Sequence, residues 1–493
     1  MSRSGVLMHI TSLPSPGGIG TLGSEAREFA TWLKEAGMSV WQVLPVGPTG
    51  FGSSPYQSPC THAGNVFMID LRDLVRDGLL SESILEHLPP ENEPTDAARN
   101  RKIRLLKQCF YESREKLRPM VEEFVQTHPA INDYALFMAV KDYFGGKMWS
   151  YWPDVSIRFR EETAMDHYSR VLKDDIEYYK FLQYLFFRQW KALKDFVNGL
   201  GIQFLGDLPI YVAEDSSDAW ANPEVFQLDQ DRRPIKVAGV PPDYFAKDGQ
   251  LWGNPLYNWR YLKKTGYKWW IERLKTAGEL FDIIRIDHFI GFANYYAVKA
   301  GALNARNGKW EKAPGFSFFR AVKRHLPKLS IIAEDLGVVS RRVKRLLRYT
   351  ELPGMKVMQF GFDSDETNPH FFPNVSENCL LYTGTHDNDT SEGWWESTKE
   401  STKEFALKYL PQREKISQSM IEAALGSVAD TVIVPMQDVL SLGSEARMNT
   451  PGTVGGRNWR WRMDKDALSL VNTDSLREMN EFFGRTPREA ERF

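Results

Sequence analysis

A closed (β/α)8 barrel of the TIM type, in the α/β class, is the fold this 493-residue sequence predicts. Three observations lead to it. Eight short runs are apolar and β-rich, helical periodicity fills most of the gaps between them, and three of the runs stop at an acidic residue. Buried parallel strands read as such runs, and strands alternating with helices pair in parallel. Eight such units are enough to close a barrel, whose chemistry collects at the C-terminal ends of its strands.

The elements follow in order. The first run is 5–13 (GVLMHITSL), after which a helical pattern from Ser24 to Leu33 ends at Gly37 and leads into the second run, 39–46. The third, 203–212, follows a helical stretch from Phe181 to Val197 that Gly199 closes. The remaining runs are 283–289, 329–337, 355–362, 379–387 and 431–440. More than 150 residues separate the second run from the third, and 96–199 are mostly of helical period, with Ile103, Leu106 and Phe110 on one face. The expected organisation is a barrel built from 1–72 and 200–493, carrying a mainly helical insertion at 73–199. A second long connection, 213–260, is rich in Pro, Gly, Trp and Tyr and reads as a loop region overhanging the site on the C-terminal face.

Composition narrows the function. Acidic residues number 64 and basic ones 62, and no basic run of five or more occurs, so neither nucleic acid nor an anionic membrane is an expected partner. No uninterrupted apolar stretch is long enough to cross a bilayer. Strand-like residues begin at Gly5, which leaves no room for a signal peptide before them. Cys60, Cys109 and Cys379 are odd in number and lack metal-ligand spacing, which favours a reducing cytoplasm and argues against a disulfide framework. Aromatic residues make up 13% of the chain, including 15 Trp. Aromatic faces suit the apolar faces of sugars, and Trp394-Trp395 and Trp459-Arg460-Trp461 are candidate binding surfaces.

The chemistry lies at the strand ends. Asp287 closes Ile283-Ile284-Arg285-Ile286, Glu334 closes Leu329-Ser330-Ile331-Ile332-Ala333, and Asp387 follows His386 at the end of the run from Leu380. Arg285 lies two residues before Asp287, so on a strand both point to one side, and the guanidinium is expected to hold Asp287 ionised, as a nucleophile requires. An ordinary salt bridge at the barrel rim would look the same. Desolvation and neighbouring negative charge would keep Glu334 protonated, as a general acid must be, although a plain rim carboxylate reads similarly. Three carboxyl groups on one face suit the trapping of a carbocation-like centre, which is glycosidic chemistry.

The ordered motifs go further. They run from His9-Ile10-Thr11-Ser12-Leu13-Pro14 through Trp41-Gln42-Val43-Leu44-Pro45, Ser54-Pro55-Tyr56-Gln57-Ser58 and Gly206-Asp207-Leu208-Pro209-Ile210-Tyr211-Val212. Gly239 to Phe245, Gly249 to Pro255, Arg285 to Phe289, Ala333 to Gly337, Thr385 to Asn388 and Arg447 to Gly452 complete them. Across nearly its whole length the chain resembles the 4-α-glucanotransferases known as amylomaltases or disproportionating enzymes, in the α-amylase clan. That resemblance implies a cofactor-free, metal-free enzyme acting on maltooligosaccharides and other α-1,4-glucans of starch or glycogen origin. It would move a glucan segment to the 4-hydroxyl of an acceptor through a covalent glycosyl-enzyme. Asp287 would be the nucleophile, Glu334 the acid/base and Asp387 the transition-state stabiliser. Arg285 and His386 would brace the sugar, Tyr56, Asp207, Tyr211, His288 and Asn449 would line the cleft, and Tyr244 with Phe245 would cover the glucan.

Other readings fit less well. Gly18-Ile19-Gly20-Thr21-Leu22-Gly23 matches a dinucleotide-binding G-x-G-x-x-G, but Pro14-Ser15-Pro16-Gly17 separates it from the strand and no acidic residue ends the next strand. No H-x-H or H-E-x-x-H occurs for a metal-dependent hydrolase, which leaves His288 and His386 as hydrogen-bonding groups. A glucan hydrolase of the same clan and a glucan-binding protein without activity remain the alternatives.

Overall fold

The computed structural model describes residues 2–87, 96–242, 247–337 and 339–486. Eight parallel strands form one sheet: β1 (Arg3–Leu7), β2 (Val40–Gln42), β3 (Gln203–Leu208), β6 (Ile283–Ile286), β9 (Ser330–Ala333), β10 (Gly354–Val357), β11 (Cys379–Tyr382) and β12 (Thr431–Pro435). Their spatial order is β10-β11-β12-β1-β2-β3-β6-β9. The two ends of that series meet. The Ala333 amide donates to the Pro353 carbonyl at 2.9 Å, and the Met355 amide donates to Asp335 Oδ1 at 2.8 Å. Each of the eight sequence runs overlaps one barrel strand, but every run extends past its strand into the loop beyond.

Alternation along the strands separates two environments. Val6, Trp41, Phe204, Ile284 and Ile331 point outward into the packed layer beneath the helices. Val40, Leu205, Ile283, Ile332, Met355, Leu380 and Ile433 point inward and fill the barrel floor. Two residues further along, the inward positions become polar: Gln42, Asp207, Arg285 and Glu334 follow Val40, Leu205, Ile283 and Ile332. An apolar floor under a charged rim is thus written directly into the strand period.

Between β2 and β3 stand the helices Asp96–Thr127, Ala130–Tyr143, Glu162–Val171 and Lys173–Gly199. The last begins among the other helices and ends against the barrel, where Trp190 packs on Phe204 at 5.1 Å between ring centroids and its indole N–H donates to the Leu280 carbonyl at 2.9 Å. Two of its glutamines reach the β2 loop: Gln183 makes paired bonds with the backbone of Gly64, and Gln189 with that of Asp70. Gly64 is required here, because a Cβ would stand 2.0 Å from the Phe186 ring.

The connection at 213–260 is not structureless. It holds β4 (Lys236–Val240) and β5 (Gln250–Pro255), which join β7 (Asn294–Lys299) and β8 (Lys309–Lys312) in an antiparallel sheet of order β5-β4-β7-β8. A bulge between Val237 and Gly239 interrupts the β4–β5 register, and Gly and Pro break the alternation that would have revealed these strands. Among the described residues, no helix is long and apolar enough to cross a membrane.

Candidate active site

The three strand-end carboxyls lie on the charged rim of the barrel. Ile286 and Ala333 are register partners on β6 and β9, so Asp287 and Glu334 leave adjacent strands at the same level. Backbone bonds fix that level: the Asp287 amide donates to the Leu208 carbonyl at 3.0 Å, and the Glu334 amide to the Ile286 carbonyl at 3.1 Å.

Asp207 and Arg285 also face each other across the β3–β6 pair. Arg285 Nη1 donates to both Asp207 oxygens at 2.6 Å, and Nη2 lies 3.1 Å from Asp287 Oδ1. Its Nε is directed at Met355 Sδ at 3.3 Å. The guanidinium is 4% exposed and the Asp207 carboxylate 0%. Burial alone would lower the Arg285 pKa, but Asp207 and Asp287 raise it well above its ordinary value. Asp207 was expected to line the cleft. Its buried position instead has it act through the two groups it holds, Arg285 and Tyr56.

Tyr56 closes the circuit. Its hydroxyl donates to Asp207 Oδ2 at 2.6 Å and lies 2.8 Å from His386 Nε2. Because the Arg-paired carboxylate can only accept, the Tyr56 proton goes to Asp207 and the Tyr56 oxygen accepts from His386. His386 therefore carries its proton on Nε2, and burial lowers its pKa, which keeps the ring neutral. The two rings stack with centroids 5.3 Å apart, and Trp459 joins them at 5.7 Å from Tyr56.

Asp387 is the most open of the three carboxyls, its side chain 46% exposed. Asn449 Nδ2 donates to its Oδ1 at 2.6 Å, while Arg447 Nη2 donates to its backbone carbonyl at 2.6 Å. Asn449 is thus a support for Asp387. Glu334 accepts two backbone bonds, from the His288 amide on Oε2 and the Leu336 amide on Oε1, both at 2.7 Å. The first depends on His288 adopting a left-handed backbone, φ +52°, an uncommon conformation for a residue with a Cβ. The His288 ring packs edge-on to Trp252 at 4.8 Å, with Tyr211 at 6.5 Å. Burial pushes the His288 pKa down to about 4, and its Nε2 has no hydrogen-bond partner among the described residues.

The electrostatics differ from expectation in one respect. Arg285 does not hold Asp287 below the usual carboxylate range. Burial, together with the charges of Asp207, Glu334 and Asp387, outweighs the guanidinium and raises the Asp287 pKa well above that range. Glu334 is raised too, by burial first, against the pull of Arg285 and its two backbone donors. Four carboxyls surround one arginine, so the Asp287–Glu334 pair retains a proton where isolated carboxyls would have lost both.

Of the other expected residues, Tyr244 and Phe245 lie outside the described residues. Trp394 and Trp395 pack beside Phe362 and Phe405 in a separate apolar cluster. Sequence reasoning passed over Trp252, Met355 and Arg447. Trp252 and Arg447 were visible within the motifs 249–255 and 447–452, whereas nothing marked Met355.

A family model described as 4-alpha-glucanotransferase matches residues 8–468. The chain belongs to the 4-alpha-glucanotransferase family. The 4-alpha-glucanotransferase of Synechocystis is 46% identical over 495 residues, covering 98% of each chain, and that of Thermus thermophilus is 44% identical, covering 97% of this chain and 98% of its own. Among solved structures, the amylomaltase from Streptococcus agalactiae in complex with acarbose superposes with a TM-score of 0.96 at 40% identity, covering 99% of this chain and 100% of that one. This glucanotransferase is therefore an enzyme of glycosyl transfer on a TIM barrel. Among its described residues, no group of three or more His, Cys, Asp or Glu could hold a metal ion.

Proposed function

We propose that this enzyme transfers α-1,4-glucan segments by double displacement, with Asp287 as nucleophile, Glu334 as acid/base and Asp387 as stabiliser of the transition state. One observation carries the assignment: Asp287 and Glu334 leave neighbouring strands at one level, and Arg285, locked by Asp207, contacts Asp287. Glu334 gives its proton to the glycosidic oxygen as the Asp287 carboxylate attacks the anomeric carbon and the C–O bond breaks. The departing chain leaves with a free hydroxyl, and an ester links the donor segment to Asp287. The 4-hydroxyl of an acceptor then gives its proton to Glu334, attacks the same carbon and releases Asp287, so two inversions yield net retention. Asp387, held by Asn449, faces the positive charge that develops on the ring. The neutral His386 and His288 are suited to hydrogen-bonding sugar hydroxyls, and the unpartnered His288 Nε2 supports that role.

The substrates proposed are maltooligosaccharides and glucans derived from starch or glycogen. Three free, buried cysteines support a cytoplasmic location. The helical stretch 73–199 is proposed as an insertion on a barrel made of 1–72 and 200–493, with 213–260 contributing to the cover of the cleft.

Maltotriose tests the reading. Incubation should give glucose and a ladder of longer maltooligosaccharides while total reducing ends stay constant. Rising reducing ends without longer products would make the enzyme a hydrolase and refute transfer.

A further inference from the structure

We propose that Asp438 is a positioning residue for the reaction: it clamps both ends of the loop that carries Asp387. The inference deepens the proposed mechanism and rests on Asp387 being its transition-state stabiliser.

The placement begins with two neighbouring strands. β11 and β12 run in parallel, with Tyr382 opposite Ile433. Thr383 is the first residue past β11, and Asp438 lies in the short helix Met436–Val439 that directly follows β12. The loop leaving β11 passes through His386 and Asp387 and ends where the helix Ser391–Ser397 begins. Asp438 holds that loop at both ends. The Thr383 hydroxyl donates to its Oδ2 at 2.6 Å, the Ser391 hydroxyl donates to the same oxygen at 2.7 Å, and the Ser391 amide donates to Oδ1 at 2.7 Å. All three residues are buried.

These three donors are neutral. A buried carboxylate that faces neutral groups costs stability, and burial raises the Asp438 pKa against the pull of its three bonds, with the charge of Glu392 adding to the rise. Hydrogen bonds to an ionised acceptor are nonetheless the strong ones, and here each of them goes to the same loop.

Asp387 depends on the base of that loop. Its half-open side chain takes a bond from Asn449 on one oxygen, so the path of the backbone largely sets where the carboxylate stands. Between the clamped ends the backbone is braced internally. Asn388 Oδ1 accepts from the Thr385 amide at 2.9 Å and from its hydroxyl at 2.8 Å, and Gln359 Nε2 donates to the Asp389 carbonyl at 2.8 Å. Gly384 packs so closely that a Cβ there would stand 2.8 Å from Gln359 Nε2. A loop braced in this way transmits a shift at its base to Asp387, and misplacing a catalytic group by about 1 Å can cost about 100-fold in rate.

Asp438→Asn in the full-length enzyme tests this, read by fluoride release from α-maltosyl fluoride, which reports glycosyl transfer to sugar or to water alike. Asparagine keeps the size and removes the charge. Expected are a fall in kcat of about three- to tenfold with KM unchanged. Combined with Asn449→Ala, the loss should be smaller than the product of the two single losses, because both side chains act on Asp387. An unchanged kcat would overturn the proposal. So would a rise in KM that matches the fall in kcat, or single losses that multiply in full, either of which would make Asp438 a general support of the fold. Should Asp438→Asn not fold, Thr383→Val, which takes one hydroxyl from the same carboxylate, is judged by the same readings. Failure of the underlying mechanism shows separately, since Asp387→Asn would then release fluoride as fast as the wild-type enzyme.

Discussion

Asp207→Asn isolates the electrostatics of the site. Asp207 touches no solvent, and its neighbours are Arg285, bound at 2.6 Å on both oxygens, and the Tyr56 hydroxyl at 2.6 Å. The substitution keeps the shape and removes one negative charge. Asp207 and Asp287 flank the same guanidinium and stand no more than about 8 Å apart. At an effective dielectric constant of about 20 their repulsion is about 2 kcal/mol, equivalent to about 1.5 pH units. Asp207 raises the Asp287 pKa, and Arg285, once freed from Asp207, is left to Asp287 alone, so both consequences push that pKa down. As the proposed nucleophile, Asp287 must be ionised to attack. The acid limb of kcat/KM should therefore move to lower pH by about one unit, somewhat less than the full Coulomb figure because the cleft is partly open to water.

The same variant should be slower. The Tyr56 bond to a charged acceptor, of the kind worth about 1.5–3 kcal/mol, is replaced by one to a neutral amide, and with it goes the group that fixes the His386 tautomer. A fall in kcat of about 10- to 100-fold is expected. Stopped assays of maltotriose disproportionation between pH 4 and 8 give both quantities. An acid limb that stays in place or moves upward would refute the claim that excess negative charge sets the Asp287 pKa. A lower kcat alone would not rescue it.

Four further outcomes follow from the geometry. Asp287→Asn should abolish turnover while leaving glucan binding by calorimetry nearly intact, and retained turnover would remove Asp287 from the nucleophile role. Glu334→Gln should be inactive on maltotriose yet still release fluoride from α-maltosyl fluoride, whose leaving group needs little proton assistance. Asn449→Ala should lower kcat about 10- to 100-fold with little change in KM, because it removes a charge-assisted bond to Asp387. Asp287→Asn should also raise the melting temperature at pH 7 by about a few degrees. The sign follows from linkage: a carboxyl with a raised folded pKa binds protons more readily folded than unfolded, so it costs stability in full above that raised pKa. The difference from wild type should fade as pH falls to the ordinary carboxylate range.

Much of this was legible in the sequence because the barrel repeats one local rule. Short apolar runs located all eight barrel strands, three of them by acidic ends as well, and Asp287 and Glu334 stand one residue beyond β6 and β9. What could not be read is non-local. Arg285 and Asp207 are 78 residues apart, and Tyr56 and His386 are 330 apart, so no period links them. The resemblance puts Asp207 in the cleft, whereas the fold pairs its buried carboxylate with an arginine on the next strand. The pKa of Asp287 was misjudged for a related reason. The sequence shows the adjacent arginine, but only the fold brings three more carboxyls around it. The second sheet escaped because Gly, Pro and a bulge erased its alternation.

These misjudgements share a physical origin that bears on mechanism. A pairwise reading of Arg285 and Asp287 yields a neutral salt bridge, which would make an unreactive carboxylate and a stable rim. The folded site is instead unbalanced, with Asp207, Asp287, Glu334 and Asp387 facing one buried guanidinium and two neutral histidines. In the free enzyme that imbalance costs stability and holds a proton on the Asp287–Glu334 pair. On the proposed mechanism, once a glycosidic bond begins to break the ring acquires positive charge and the imbalance becomes complementary to it, while Glu334, its pKa raised, is set to give up its proton. On that mechanism, the carboxyl excess that destabilises the free enzyme is what stabilises the transition state, and Asp207 contributes from its buried position by occupying half of the Arg285 guanidinium.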